Sequence, residues 1–148
     1  MTRLECAYYW SQIILTGIAG VAAIGAYLQI QASNKFEMLK ILEAPRVRKA
    51  RRLLYKKLVE GRAPTMWWKS DDDLEEAAST VCSSFDIVGI MAWKMNMKFF
   101  AREWAHPICW TRRVLEDYIE DRNKGGYRGY SVLYEAARPH WRSPTHPN

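Results

Sequence analysis

The sequence predicts an all-α protein, with one N-terminal transmembrane helix followed by a small helical bundle. Three observations carry that expectation. An uncharged, mostly apolar run extends from Ala7 to Ile30. Beyond it, apolar residues recur at three- and four-residue steps, the period of a helix with one buried face. No segment sustains the two-residue alternation of a strand. Composition agrees: 49% hydrophobic, 26% charged, with Gly 8 and Pro 6 in 148 residues, is the usage of a folded chain with one core beyond the membrane run.

The apolar run is 24 residues long, and at about 1.5 Å per residue it reaches across a hydrocarbon core of about 30 Å. Its strongly polar side chains, Ser11, Gln12 and Gln29, sit near the ends. Tyr8, Tyr9 and Trp10 mark one interface and Tyr27 the other, as amphipathic rings do at headgroup level. Three readings stand: a retained anchor, a cleaved signal peptide, and a buried helix of a soluble fold. The run is longer than the roughly 7 to 15 apolar residues of a signal peptide, and Ile30-Gln31-Ala32 is a poor cleavage site. Aromatic collars serve no purpose in a soluble core, so the anchor is the reading adopted.

Flanking charge sets the orientation. Arg3 and Glu5 precede the run, whereas Lys35 to Arg62 carries ten Lys and Arg against three Glu, so the net charge of +6 is concentrated beside the membrane. The positive-inside rule places the N-terminus outside and the C-terminal part in the cytoplasm, as in a single-pass protein of the cell (inner) membrane. Small residues four apart, Thr16 and Gly20, Ala19 and Ala23, Ala22 and Ala26, would let two such helices approach closely. Small residues are also simply common in membrane helices, so a homo-oligomer and a lone helix both stand.

After the run, Phe36, Leu39 and Leu42 extend the first helix until Pro45 interrupts it. Proline in a first turn suits a new helix over 45–60, with Val47, Ala50, Leu54 and Leu58 on one face, stopped by Gly61 and Pro64. Asp71, Asp72 and Asp73 ahead of Glu75 and Glu76 mark the N-terminus of a third helix, whose core face is Leu74, Ala78, Val81, Phe85, Val88 and Ala92. The pattern is ambiguous around Asn96. A short helix over 97–105 is expected to end at Pro107, and a fifth over 107–122 to bury Ile108, Thr111, Leu115, Tyr118 and Ile119. Asn123-Lys124-Gly125-Gly126 is a stop, and Tyr130 to Ala137 forms the last helix before Pro139. The domain plan is thus an anchor over 1–32, a helical domain over 33–142 and an unstructured tail over 143–148.

Four words stand in a recognisable order: Ala50-Arg51-Arg52-Leu53-Leu54-Tyr55, then Phe85-Asp86-Ile87-Val88-Gly89, then Trp110 with Arg113, Ile119 and Arg122, and last Leu133-Tyr134-Glu135-Ala136-Ala137. Over nearly the whole chain after Asn34 this order and spacing resembles an uncharacterised family of small bacterial and phage-associated proteins. In that family an N-terminal membrane helix is joined to a helical domain of unknown function. The resemblance implies an architecture and carries no activity.

The strongest chemical feature is a run of cations: Arg46, Arg48, Lys49, Arg51, Arg52, Lys56 and Lys57. It suits anionic lipid or nucleic acid. Its nearness to the membrane run favours lipid, where each nearby Lys or Arg contributes about 1 kcal/mol, while phosphate attraction of nucleic acid is equally indifferent to sequence. Trp67 and Trp68 are candidates for base stacking, for an exposed contact surface, or for interfacial or core packing. Arg102 and His106 resemble the Arg and His pair of helical ribonucleases that use the RNA 2′-hydroxyl as nucleophile. They differ from it in spacing, with three residues between them and Pro107 directly after the histidine. An i, i+4 pair on one helix would still place both on one face. Asp86, inside an apolar run, is expected to pair with Arg51, Arg113 or Arg122.

Cys6, Cys82 and Cys109 form no metal-ligand spacing and read as reduced thiols; no metal and no cofactor are expected. Gly125, Gly126 and Gly129 follow a helix instead of opening one, so they are a turn and not a phosphate loop. Two function classes remain. One is a membrane-anchored interaction or scaffold protein that contacts membrane lipids and an unidentified protein partner. The other is a membrane-tethered nucleic-acid-binding or ribonuclease-like effector.

Overall fold

A computed structural model of the chain describes residues 3–61, 64–94, 98–122 and 126–141, and every regular element among them is helical. The expected tail over 143–148 and the ambiguous turn around Asn96 lie outside the described residues. The chain divides into two compact units, Met1–Glu37 and Met38–Asn148.

The first unit consists of helix α1, Arg3–Leu42, up to Glu37. Residues 5–30 are exposed throughout, so this is not a core helix. Its most apolar stretch has a mean hydropathy of 1.9, and it is the one helix among the described residues long and apolar enough to cross a membrane. The polar side chains inside it satisfy themselves locally: the Ser11 hydroxyl donates to the Tyr8 carbonyl at 2.8 Å and the Thr16 hydroxyl to the Gln12 carbonyl at 2.8 Å. Such back-bonding is what an apolar medium requires of a hydroxyl.

In the second unit, Met38 and Leu42 on the last turns of α1 are fully buried. Helix α2, Pro45–Leu54, buries Val47, Ala50 and Leu54 and continues as a π-helical turn, Tyr55–Glu60, closed at Gly61 by its N–H donating to the Lys56 carbonyl at 3.0 Å. A 3-10 turn, Trp67–Lys69, leads to α3, Asp72–Lys94. The Asp71 carboxylate caps α3 by accepting the Leu74 N–H at 3.1 Å. All six expected core residues of α3 are buried.

Helices α4, Lys98–Glu103, α5, Ala105–Val114, α6, Glu116–Arg122, and α7, Arg128–Ala137, follow, with a closing 3-10 turn Arg138–His140. Two boundaries differ from expectation. Pro107 does not end a helix but stands in the first turn of α5, where its missing N–H has no intrahelical acceptor to lose. The expected single helix over 107–122 is broken at Leu115 (φ −103, ψ 15), although Ile108, Thr111, Leu115, Tyr118 and Ile119 are all buried as foreseen.

The central helix is α3, flanked by α2 and crossed by α7. At the α3–α7 crossing the backbones touch: a Cβ added to Gly89 would lie 1.9 Å from the Gly129 carbonyl oxygen, and one on Gly129 would lie 2.2 Å from that of Asp86. Only glycine permits this approach, and three interactions depend on it. The Asp86 carboxylate accepts the Tyr130 N–H at 3.1 Å, satisfying a first-turn donor of α7. The Phe85 and Tyr130 rings stack at 4.9 Å, and the Tyr130 hydroxyl donates to the Ile108 carbonyl at 3.1 Å. The expected Asp86–arginine pair is therefore replaced by a helix cap. Arg51 pairs instead with Glu43, and Arg122 with Glu75.

Candidate functional site

The cation run becomes an amphipathic helix whose sides have different fates. Val47, Ala50 and Leu54 face the core; Lys49, Arg52 and Lys56 recur at the same steps on the opposite side, exposed and without an ion pair among the described residues. On one flank, Arg46 meets Glu76 at 3.2 Å and Lys57 meets Asp71 at 2.7 Å. That second contact raises the Lys57 pKa and lowers that of Asp71, chiefly through the hydrogen bond between them. On the other flank, Arg51 donates to Glu43 at 2.8 Å and to the Leu42 carbonyl at 3.0 Å, and Arg48 lies 4.0 Å from Glu43. Of the seven expected contact residues, Arg46, Arg48, Arg51 and Lys57 are thus engaged with acids of the fold. Lys49, Arg52 and Lys56 form an unbalanced positive face.

Arg102 and His106 are both exposed, but they do not share a helix. Trp104 (φ −101, ψ 15) separates α4 from α5, so the one-face geometry of an i, i+4 pair is lost. The fold instead joins His106 to the arginines of α2. A groove of about 420 Å³ is lined by Arg48, Arg51, Arg52, Tyr55, His106, Pro107, Trp110 and Thr111, with the Tyr55 and Trp110 rings 5.7 Å apart. Linear spacing gave no sign of this, because α2 and α5 are some fifty residues apart in sequence. The lining contains cations and ring faces but no carboxylate, so it can hold an anion and lacks a paired acid and base.

Trp67 and Trp68 are buried, not exposed. Trp67 stacks on Tyr118 at 5.7 Å and the Trp68 indole N–H donates to Asp121 at 2.9 Å, so neither presents a ring to a base or to a partner. The cysteines are free; Cys6 is exposed and Cys82 and Cys109 are buried. Burial pushes the Cys82 thiol up to about 12 and the Cys109 thiol up to about 11, which keeps both protonated at neutral pH. Among the described residues no group of three or more His, Cys, Asp or Glu is placed to hold a metal. No protein-family model, curated protein or solved structure matches the chain.

Proposed function

We propose that the protein is a single-pass, membrane-anchored interaction or scaffold protein whose second unit is held against an anionic membrane surface by the outer face of α2. The observation that carries this reading is the triplet Lys49, Arg52 and Lys56: three exposed cations on one helical face with no acidic partner among the described residues. Pro45 follows Ile30 by only fifteen residues, so this face is tethered near whatever bilayer holds the apolar run. Anionic headgroups then supply the missing counter-charge, at about 1 kcal/mol per cation within a Debye length. The charge bias around the run supports an N-terminus outside and a cytoplasmic second unit in the cell membrane. The scaffold role leaves other surfaces for a protein partner.

The full chain in vesicles tests it. With phosphatidylglycerol present, Lys49 and Lys56 become protected from an amine-acylating reagent relative to pure phosphatidylcholine, and added salt restores labelling. Equal labelling in both lipids refutes the lipid contact. The groove of Arg48, Arg52, Tyr55, His106 and Trp110 favours a second reading, a nucleic-acid-binding effector, because rings beside cations suit bases and phosphates. Protection that appears only when a single-stranded oligonucleotide is added selects that reading.

A further inference from the structure

Arg48, Arg51, Arg52 and Tyr55 stand at three- and four-residue steps along one side of α2, which gathers them on one wall of the groove shared with α5. His106 and Trp110, themselves four residues apart, form the wall contributed by α5. Charge is unevenly matched there. Glu43 accepts from Arg51 at 2.8 Å and lies 4.0 Å from Arg48, while Arg52 has no ion pair among the described residues. Three guanidinium groups therefore share one carboxylate, an excess of two positive charges, and the groove lining itself holds no acid.

Two of these cations are positioned by the fold. The Arg51 side chain is only 23% exposed and also donates to the Leu42 carbonyl at 3.0 Å, and the shared Glu43 holds Arg48 beside it. Each guanidinium carries five N–H donors, and these contacts leave most of them unspent. Donors fixed in this way cost an incoming anion less ordering than flexible lysines do. The ring wall has its own irregularity. Tyr55, 46% exposed and 5.7 Å from Trp110, opens the π-helical turn, in which the Gly61 N–H reaches back five residues to the Lys56 carbonyl. Turns of this kind are rare and occur frequently at functional sites.

The structure assigns to this groove a soluble phosphomonoester carried on a flat ring, the class that includes aryl and nucleoside monophosphates. A phosphomonoester brings close to two negative charges at neutral pH and three strong acceptor oxygens, which match the excess of two charges and the forked donors of arginine. A sulfate ester or a nucleic-acid phosphodiester brings a single charge, half of what the groove leaves open. A groove of about 420 Å³ is of small-molecule size, and Tyr55 and Trp110 give a flat ring an apolar surface to lie on. A glycerolipid phosphate has no such ring, so this site is separate from the lipid contact of Lys49 and Lys56 and does not rest on it. It narrows the nucleic-acid alternative from a strand to a single phosphorylated ring.

Calorimetric titration of the full chain in phosphatidylcholine vesicles tests this, with phenyl phosphate, phenyl sulfate and inorganic phosphate as probes. Arg48→Gln and Arg52→Gln each remove a groove cation, and Lys49→Gln removes an equal charge from exposed surface outside the groove. The expected result is a single site for phenyl phosphate, with phenyl sulfate and inorganic phosphate each about tenfold weaker. Arg48→Gln and Arg52→Gln each weaken phenyl phosphate about tenfold, the effect of one charge-assisted hydrogen bond, and Lys49→Gln leaves it unchanged. Absence of phenyl phosphate binding overturns the inference. Sulfate binding as tight as phosphate overturns it through the charge match, and inorganic phosphate binding as tight overturns it through the ring. Equal weakening by Lys49→Gln overturns it in favour of diffuse attraction to a basic surface. An oligonucleotide without a terminal phosphate that binds as tightly as phenyl phosphate overturns it in favour of nucleic acid. Protection of Lys49 and Lys56 by phosphatidylglycerol is measured separately, so the lipid contact and this site stand or fall independently.

Discussion

Gly89→Ala tests the backbone contact on which the α3–α7 crossing depends. The added methyl would sit 1.9 Å from the Gly129 carbonyl oxygen and 2.3 Å from its carbon. Both are backbone atoms, so no side-chain rotation relieves the clash. Restoring 3.4 Å, the tight end of ordinary contact, requires the helices to move apart by about 1.5 Å. That displacement stretches the 3.1 Å Asp86–Tyr130 bond past hydrogen-bonding range and opens the Phe85–Tyr130 stack. Overpacking of this kind costs about 1 to 3 kcal/mol, and the lost cap roughly 1 more. Alanine's better helix propensity returns about 1 kcal/mol. A net loss of about 2 kcal/mol is expected, or roughly 10 °C in Tm for a unit of this size. The assay is thermal unfolding of the full chain in vesicles, followed by near-ultraviolet dichroism, with exposed Ser83→Ala on the same helix as the control. A Gly89→Ala chain as stable as wild type would refute the close crossing.

Other consequences are open to measurement. Asp86→Ala should destabilise the second unit by about 1 kcal/mol, and Asp86→Asn by less, because an amide oxygen still accepts the Tyr130 N–H; equal losses in unfolding experiments would point to a charge partner instead. A maleimide should modify Cys6 in the native chain and reach Cys82 and Cys109 only after denaturation, since burial keeps those two thiols protonated; mass spectra showing either one labelled in the folded protein would contradict their placement. Gly20→Ile adds a side chain where nothing of the chain lies within 4 Å, and it should weaken crosslinked dimers in membranes without affecting insertion if small residues form the seam. Identical crosslinking patterns for wild type and variant would reject that seam.

Much of this architecture could be read from residue type and period. The apolar run from Ala7 to Ile30, the core stripe from Leu74 to Ala92 and the buried set from Ile108 to Ile119 are properties of single segments, and a helix preserves their spacing in space. Ile87, Ile90 and Trp93 were equally legible as apolar residues off the core stripe of α3, and all three are exposed. Local boundaries were less legible. The breaks at Trp104 and Leu115 carry no proline or glycine, and Pro107 reads alike as a stop and as a first-turn residue.

The sequence by itself determined the helical class, the apolar N-terminal helix, the segregation of positive charge beside it and the side of each long helix that is buried. Tertiary structure alone decided which charges are spent on the fold: Arg46, Arg51 and Lys57 meet Glu76, Glu43 and Asp71, while Lys49, Arg52 and Lys56 do not. It decided that Asp86 caps a helix, that Trp67 and Trp68 are core, and that His106 lies with the arginines of α2 instead of with Arg102. The physical reason is the same throughout. Periodicity describes a residue's side on its own helix, but the partner it meets depends on how closely two helices approach, and here that distance is set by a pair of glycines forty residues apart.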